Sequence, residues 1–219
     1  MFGAIIFDWD GTLADTKLVL VNSFQKVLQE VGSKISRDFL ERQIGIGARN
    51  MFKNALKATE IPFDERMIDR LVKKKIEIQM ELIEKVSLFE GVVELLDGLQ
   101  NKVKIGLATM SNRRVIDKLL KENGIREYFD YVITADDVTQ PKPNPEIFLN
   151  CAMKLKCQPE KCVVVEDSIF GVKAAKGAKM KCIAIPSGAY SVEELNEEKP
   201  DLIVESINNK IEILNFLFR

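Results

Sequence analysis

The chain has 219 residues, 46% hydrophobic and 30% charged, with 32 basic against 33 acidic side chains and a net charge of −1. That balance fits one large globular domain, or a domain with a smaller insert, and offers no basic surplus for nucleic acid. No apolar run approaches the ~18 residues of a membrane span. The chain also has no histidine, which excludes Ser-His-Asp and Cys-His catalysis and leaves acid–base work to carboxylates, lysine, tyrosine or thiols.

Residues 1–6 (MFGAII) form an apolar run that reads as a short buried strand. A strand pattern from the start, with no leader pattern, sets the expectation of a cytoplasmic protein, monomer or homodimer. Asp8 and Asp10 follow, with Gly11 and Thr12 behind them. Carboxylates at i and i+2 project to one side of an extended chain. Taken alone, the same letters also suit a polar strand end with a glycine turn.

Residues 17–31 place Leu20, Phe24, Val27, Leu28 and Val31 at helical spacing, and Gly32 stops that helix. Ser36 precedes a short helix, a glycine-rich turn (GIGAR) leads into one over 48–59, and Asp64 caps a charged helix reaching about residue 85. Residues 15–87 therefore read as helical with no strand signal, an insertion between pieces 1–14 and 88–219 of an α/β domain. Strand–helix alternation then resumes. Strands are expected at 103–108, 131–134, 162–165, 180–185 and 202–204, and helices from Gly91 to Leu99 and at 112–123, 145–155, 171–179 and 207–218. Short apolar strands in repeated βα units imply a Rossmann-like parallel sheet covered on both faces. Cys151, Cys157, Cys162 and Cys182 form no CxxC pair and are expected to be reduced and mostly buried.

Polar residues recur where these strands end. VKIGLA runs into Thr109, Ser111 and Asn112, a later loop carries Lys142 in QPKPNP, and VVV ends in Glu166-Asp167-Ser168. Each has a plain structural alternative. Thr109 or Ser111 could cap the next helix, Lys142 could be a solvated loop lysine, and the acids could cap a helix. Together, in consecutive order at one sheet edge, they match the needs of phosphoryl transfer. Asp8, Glu166 and Asp167 offer hard oxygen ligands for magnesium. Lys142, the Thr109 hydroxyl and backbone N–H groups near Gly11 would meet the phosphate. One carboxylate can attack phosphorus while a second, Asp10, handles the protons.

The motifs FDWDGT, LATMSN, the lysine of QPKPNPEIF and VVEDSIFGVKAA make the chain resemble the haloacid dehalogenase superfamily, in the subgroup with a helical cap after the first strand. The resemblance covers essentially the whole chain. It implies Asp8 as nucleophile, Asp10 as acid/base and backbone-carbonyl metal contact, and Thr109, Ser111, Asn112 and Lys142 as phosphate binders. It also implies Glu166 and Asp167 as magnesium ligands beside Asp8. An aspartate at position 10 points within the superfamily to a phosphatase or phosphotransferase, acting on a small phosphorylated metabolite. The segment QIGIGARNMFKNAL resembles the cap loop of phosphoglycolate phosphatases, and Arg49 in it resembles a substrate-touching arginine of β-phosphoglucomutases. Those mutases carry a histidine near where Leu20 or Val21 lies, and this chain has none. Arg49 could equally be an ordinary exposed arginine, and Lys73, Lys74 and Lys75 are expected on a solvated helix face. A receiver-type phospho-acceptor module is a further alternative. It would carry its aspartate after a middle strand and would need no helical insert.

Overall fold

The computed structural model describes residues 2–218. The chain runs β1 (Ala4–Phe7), β2 (Ala14–Asp15), α1 (Lys17–Glu30), α2 (Arg37–Glu41), α3 (Ala48–Ala58), α4 (Glu65–Glu81) and β3 (Ser87–Leu88). It continues through α5 (Val92–Leu99), β4 (Lys104–Ala108), α6 (Arg113–Glu122), β5 (Tyr131–Ile133), α7 (Glu146–Lys154) and β6 (Cys162–Glu166). It ends with α8 (Ile169–Gly177), β7 (Lys181–Ala184), α9 (Val192–Glu197), β8 (Leu202–Ile203) and α10 (Lys210–Phe218).

Six strands form one parallel sheet in the order β5-β4-β1-β6-β7-β8. Side chains alternate between its faces, as period-two geometry demands. Ile5, Phe7, Ile105, Leu107, Val163 and Val165 pack on one face with α5, α6 and α10. Ala4, Ile6, Ala108, Cys162 and Val164 pack on the other with α7, α8 and α9. The chain leaves β4 towards the first layer and β6 towards the second. The central strand β1 therefore ends where the connections diverge, the crevice in which open parallel sheets bind ligands.

Helices α1 to α4 build a separate apolar cluster around Phe24, Phe52, Leu28, Leu40, Leu56 and Ile68. The Phe24 and Phe52 rings lie 4.9 Å apart. Each such side chain contributes about 1.5–3 kcal/mol when fully buried, so this layer holds itself together with its own core. The sequence carries no strand signal between residues 15 and 87, yet β2 and β3 pair as a small antiparallel ribbon where the chain enters and leaves the helical layer. Two residues per strand are too few to leave a periodic signal. Helix α9, between the last two strands, was also not expected. Its start carries a reciprocal capping box of Ser191 and Glu194, a signature legible in SVEE. Helix α8 begins two residues before the expected Gly171, because the Ser168 hydroxyl accepts the Gly171 N–H. The cysteines are all free thiols, three of them buried and Cys157 half-buried. Among the described residues no helix is long and apolar enough to cross a membrane.

Candidate active site

Strand register brings the acids together. Phe7 pairs with Val165 on one side and with Leu107 on the other. One residue further along, Asp8 therefore sits beside Glu166 and Ala108. The Asp8 N–H donates to the Val165 carbonyl at 3.0 Å, so the nucleophile candidate is still held by the ladder. Asp8 and Glu166 share the parity of Ala4, Ile6 and Val164, and so project towards the α7–α8 layer. The loop entering α7 delivers Lys142 to the same side. Its wholly buried ammonium donates to Asp8 Oδ1 and Glu166 Oε1, both at 2.6 Å.

Glu166 is fixed from behind. Its Oε2 accepts the Asp167 N–H at 3.0 Å, the Ser168 N–H at 3.1 Å and the Ser168 hydroxyl at 3.0 Å. A Cβ on Gly171 would lie 1.8 Å from the Glu166 carboxyl carbon, so only glycine lets α8 approach this carboxylate. The Thr12 hydroxyl donates to Asp167 Oδ1 at 3.2 Å.

Asp8, Glu166 and Asp167 offer carboxylate oxygens within 4.8 Å of one another. Three buried acids thus face one ammonium. Burial pushes the Asp8 carboxyl up to about 8, against the pull of Lys142 and with help from Glu166 and Asp10. Burial raises Asp167 well above the carboxylate range too, reinforced by Glu166 and Asp8. Burial by itself would lower Lys142, but Asp8 and Glu166 outweigh it and hold the lysine charged. A cluster of hard oxygens with this excess of negative charge fits a divalent cation such as magnesium.

Asp10 is not part of that cluster. Its Oδ2 accepts the Ser111 hydroxyl at 2.6 Å and the Thr109 hydroxyl at 3.3 Å. Its Oδ1 is buried with no partner among the described residues. Asp10 and Ser111 line a cleft of about 510 Å³ between the sheet edge and the helical layer.

A sequence model of the haloacid dehalogenase-like hydrolases matches residues 5–185. The chain belongs to that family. The hydrolase is 34% identical over 182 residues to a phosphorylated carbohydrates phosphatase of Thermotoga maritima, covering 82% of this chain and 83% of the relative. A crystal structure of a hydrolase from Pseudomonas syringae superposes with a TM-score of 0.91 at 26% identity, over 99% of both chains. A β-phosphoglucomutase from Clostridium difficile superposes with a TM-score of 0.88 at 29% identity, over 99% of this chain and 97% of that one.

Three expectations for the hydrolase gain detail at this level. Asn112, expected at the phosphate, lines the cleft and also caps α6: its Oδ1 accepts the Arg114 N–H at 3.1 Å and its amide donates to both Asp136 oxygens at 2.9 Å. Neither Thr109 nor Ser111 is that cap. Of the backbone N–H groups near Gly11, those of Gly11 and Thr12 close the turn on the Ala14 and Trp9 carbonyls. Lys75 is not on a solvated face. It is 4% exposed, lines the cleft with Asp10, and places its ammonium 4.9 Å from the centre of the Phe24 ring and against Gln79 Oε1. The signal was present in the sequence: Ile68, Leu71, Lys75 and Ile78 occupy one helical stripe, and the lysine run 73–75 concealed it. Arg49 also lines the cleft, half exposed, its guanidinium bound by Glu65 and Asp69.

Proposed function

We propose that the protein hydrolyses a small phosphomonoester with magnesium, through a phosphate ester of Asp8. The observation that carries this reading is one buried lysine at 2.6 Å from both Asp8 and Glu166, with Asp10 held across from them by Ser111 and Thr109. An Asp8 oxygen attacks phosphorus, and the bond from phosphorus to the leaving oxygen breaks. Asp10 gives that oxygen a proton. Asp10 then takes a proton from water, whose oxygen bonds to phosphorus as the Asp8 ester breaks and phosphate leaves. Lys142 favours the ionised form of Asp8 against the burial that raises its pKa, and balances the phosphate charge. Magnesium, held by Asp8, Glu166 and Asp167, would neutralise further charge at the point of attack.

Asp8 is 4% exposed and is not among the cleft-lining residues. Admission of a phosphate therefore needs the helical layer, residues 15–87, to act as a cap that swings away from the core at 1–14 and 88–219. The contacts that must part include polar ones. The Tyr190 hydroxyl donates to the Arg42 carbonyl at 2.6 Å, the Arg42 guanidinium meets Glu194 at 2.6 Å, and the Lys17 ammonium donates to the Gly188 carbonyl at 3.0 Å. Surface contacts of this kind are each worth about 0–1 kcal/mol, which suits a repeatedly opening joint.

Lys75 is the substrate contact that the cleft favours, a buried cation facing Asp10 and the open space. Burial lowers its pKa to about 8, opposed by Asp10. Lys75→Met is expected to raise KM about 10- to 100-fold, the value of a hydrogen bond to a charged group. The wild-type KM should climb as pH rises above about 8, where the ammonium is lost, while the variant's KM stays level. A variant KM that keeps the wild-type pH profile would remove Lys75 from substrate binding.

The Thermotoga relative's name supports a phosphorylated carbohydrate as the substrate class. A second reading, a sugar phosphomutase, is favoured by the β-phosphoglucomutase neighbour. It is disfavoured by the lack of a histidine, which the mutase pattern expects near Leu20 or Val21; Leu20 is an apolar cleft residue. The deciding experiment measures phosphate release from sugar phosphates, phosphoglycolate, nucleoside monophosphates and pyrophosphate, with magnesium and with chelator. Release that chelator abolishes is the expected result. Conversion of a hexose 1-phosphate to the 6-phosphate faster than phosphate release would favour the mutase instead.

A further inference from the structure

Met110 directly follows Thr109, so its backbone is fixed at the strand end that presents hydroxyls to Asp10. Its half-buried side chain reaches from the core to the cap. A Cβ on Gly47 would lie 2.9 Å from the Met110 methyl and 3.8 Å from Pro141. Gly47 has φ +83° and is the N-cap of α3, so that position favours glycine conformationally, and a side chain there would have to displace the Met110 methyl. The methionine methyl thus lies against the cap turn at Gly47, which also faces Pro141 of the loop that carries Lys142. Met110, Gly47, Pro141 and Asp10 all line the same cleft. The group leaving phosphorus takes its proton from Asp10, so it must occupy the space between Asp10 and the cap. Met110 forms one wall of that space, and its unbranched thioether is the kind of side chain that yields to shape.

From this we infer that Met110 is a specificity-determining residue, the core-side stop that limits the bulk of the leaving group when the cap is closed. The inference rests on the phosphatase reading above. It goes further in naming the wall and the property selected, which is size rather than charge. An apolar wall of this kind discriminates by about 10- to 200-fold per group fitted or excluded.

The test compares kcat/KM for glycerol phosphate, a hexose phosphate and a nucleoside monophosphate in the wild type, Met110→Ala and Met110→Leu. The ratio of the bulkiest ester to the smallest should rise at least about tenfold in Met110→Ala and stay within about twofold in Met110→Leu, which conserves volume. Cooperative melting of both variants near the wild-type temperature controls for folding. An unchanged ratio in a folded Met110→Ala overturns the inference, as does an equal shift in Met110→Leu. The two readings fail separately. Chelator-sensitive phosphate release with an unmoved ratio removes only the role of Met110. No release by the wild type from any ester removes the phosphatase reading, and this inference with it.

Discussion

Asp8→Asn is expected to abolish turnover while the fold survives. The amide matches the carboxylate in shape but cannot form the ester with phosphorus, and loss of an enzymatic nucleophile costs on the order of 10⁴- to 10⁶-fold in kcat. The fold should tolerate the change for an electrostatic reason. Asp8 is one of three buried acids that face Lys142, and Glu166 remains as the partner of that ammonium at 2.6 Å. The Asp8 pKa lies near 8 in the folded chain, above its ordinary 3.8. An acid shifted upward by folding weakens the fold as pH rises from the lower value to the higher one, because the folded form must then hold a charge it disfavours. Asp8→Asn removes that penalty. In chelator its melting temperature should therefore equal or exceed the wild type's at pH 8, with the gap closing towards pH 4. Loss of cooperative melting would contradict this account of the site, and so would activity near the wild-type level.

Lys142→Met should do the opposite to stability and the same to activity. Without the ammonium, Asp8, Glu166 and Asp167 are buried with no opposing charge. Removing one partner of a buried ion pair costs about 3–5 kcal/mol. For a chain of this length that lowers the melting temperature by on the order of 10 °C, measured in chelator. Part of the loss should be relieved by protonation of the acids, so the gap narrows at low pH. Magnesium binds the same carboxylates, so its addition should raise the variant's melting temperature by more than the wild type's. Equal magnesium shifts in the two proteins would separate the metal from these acids. Calorimetric melts at pH 5 and pH 8, with chelator and with magnesium, give all four comparisons.

The sheet and the polar residues gathered at its edge were largely legible in the sequence for one reason: period-two strands ending in polar residues announce both their faces and their edge. Asp8, Glu166 and Asp167 fall at such ends, the parallel register sets Asp8 beside Glu166, and Lys142 reaches both from the loop entering α7. Asn112 illustrates the limit. A polar residue at a strand end can serve the next helix as well as the site, and only the position of Asp136 reveals that second role. Lys75 illustrates a second limit. A lysine in a charged run reads as solvated, although its helical stripe with Leu71 and Ile78 points inward. Contacts between cap and core, such as Met110 with Gly47 or Tyr190 with Arg42, leave no local pattern, because their partners lie more than 60 residues apart in the chain.

The central claim is that phosphate passes through a covalent bond to Asp8. The measurement that tests it most directly is borohydride trapping during turnover of the best substrate with magnesium, followed by peptide mass spectrometry. Reduction of a phosphorylated aspartate leaves homoserine, and the account predicts homoserine at position 8 and at no other acid. Turnover that continues while position 8 stays aspartate, or homoserine at Asp10, Glu166 or Asp167 instead, would contradict it.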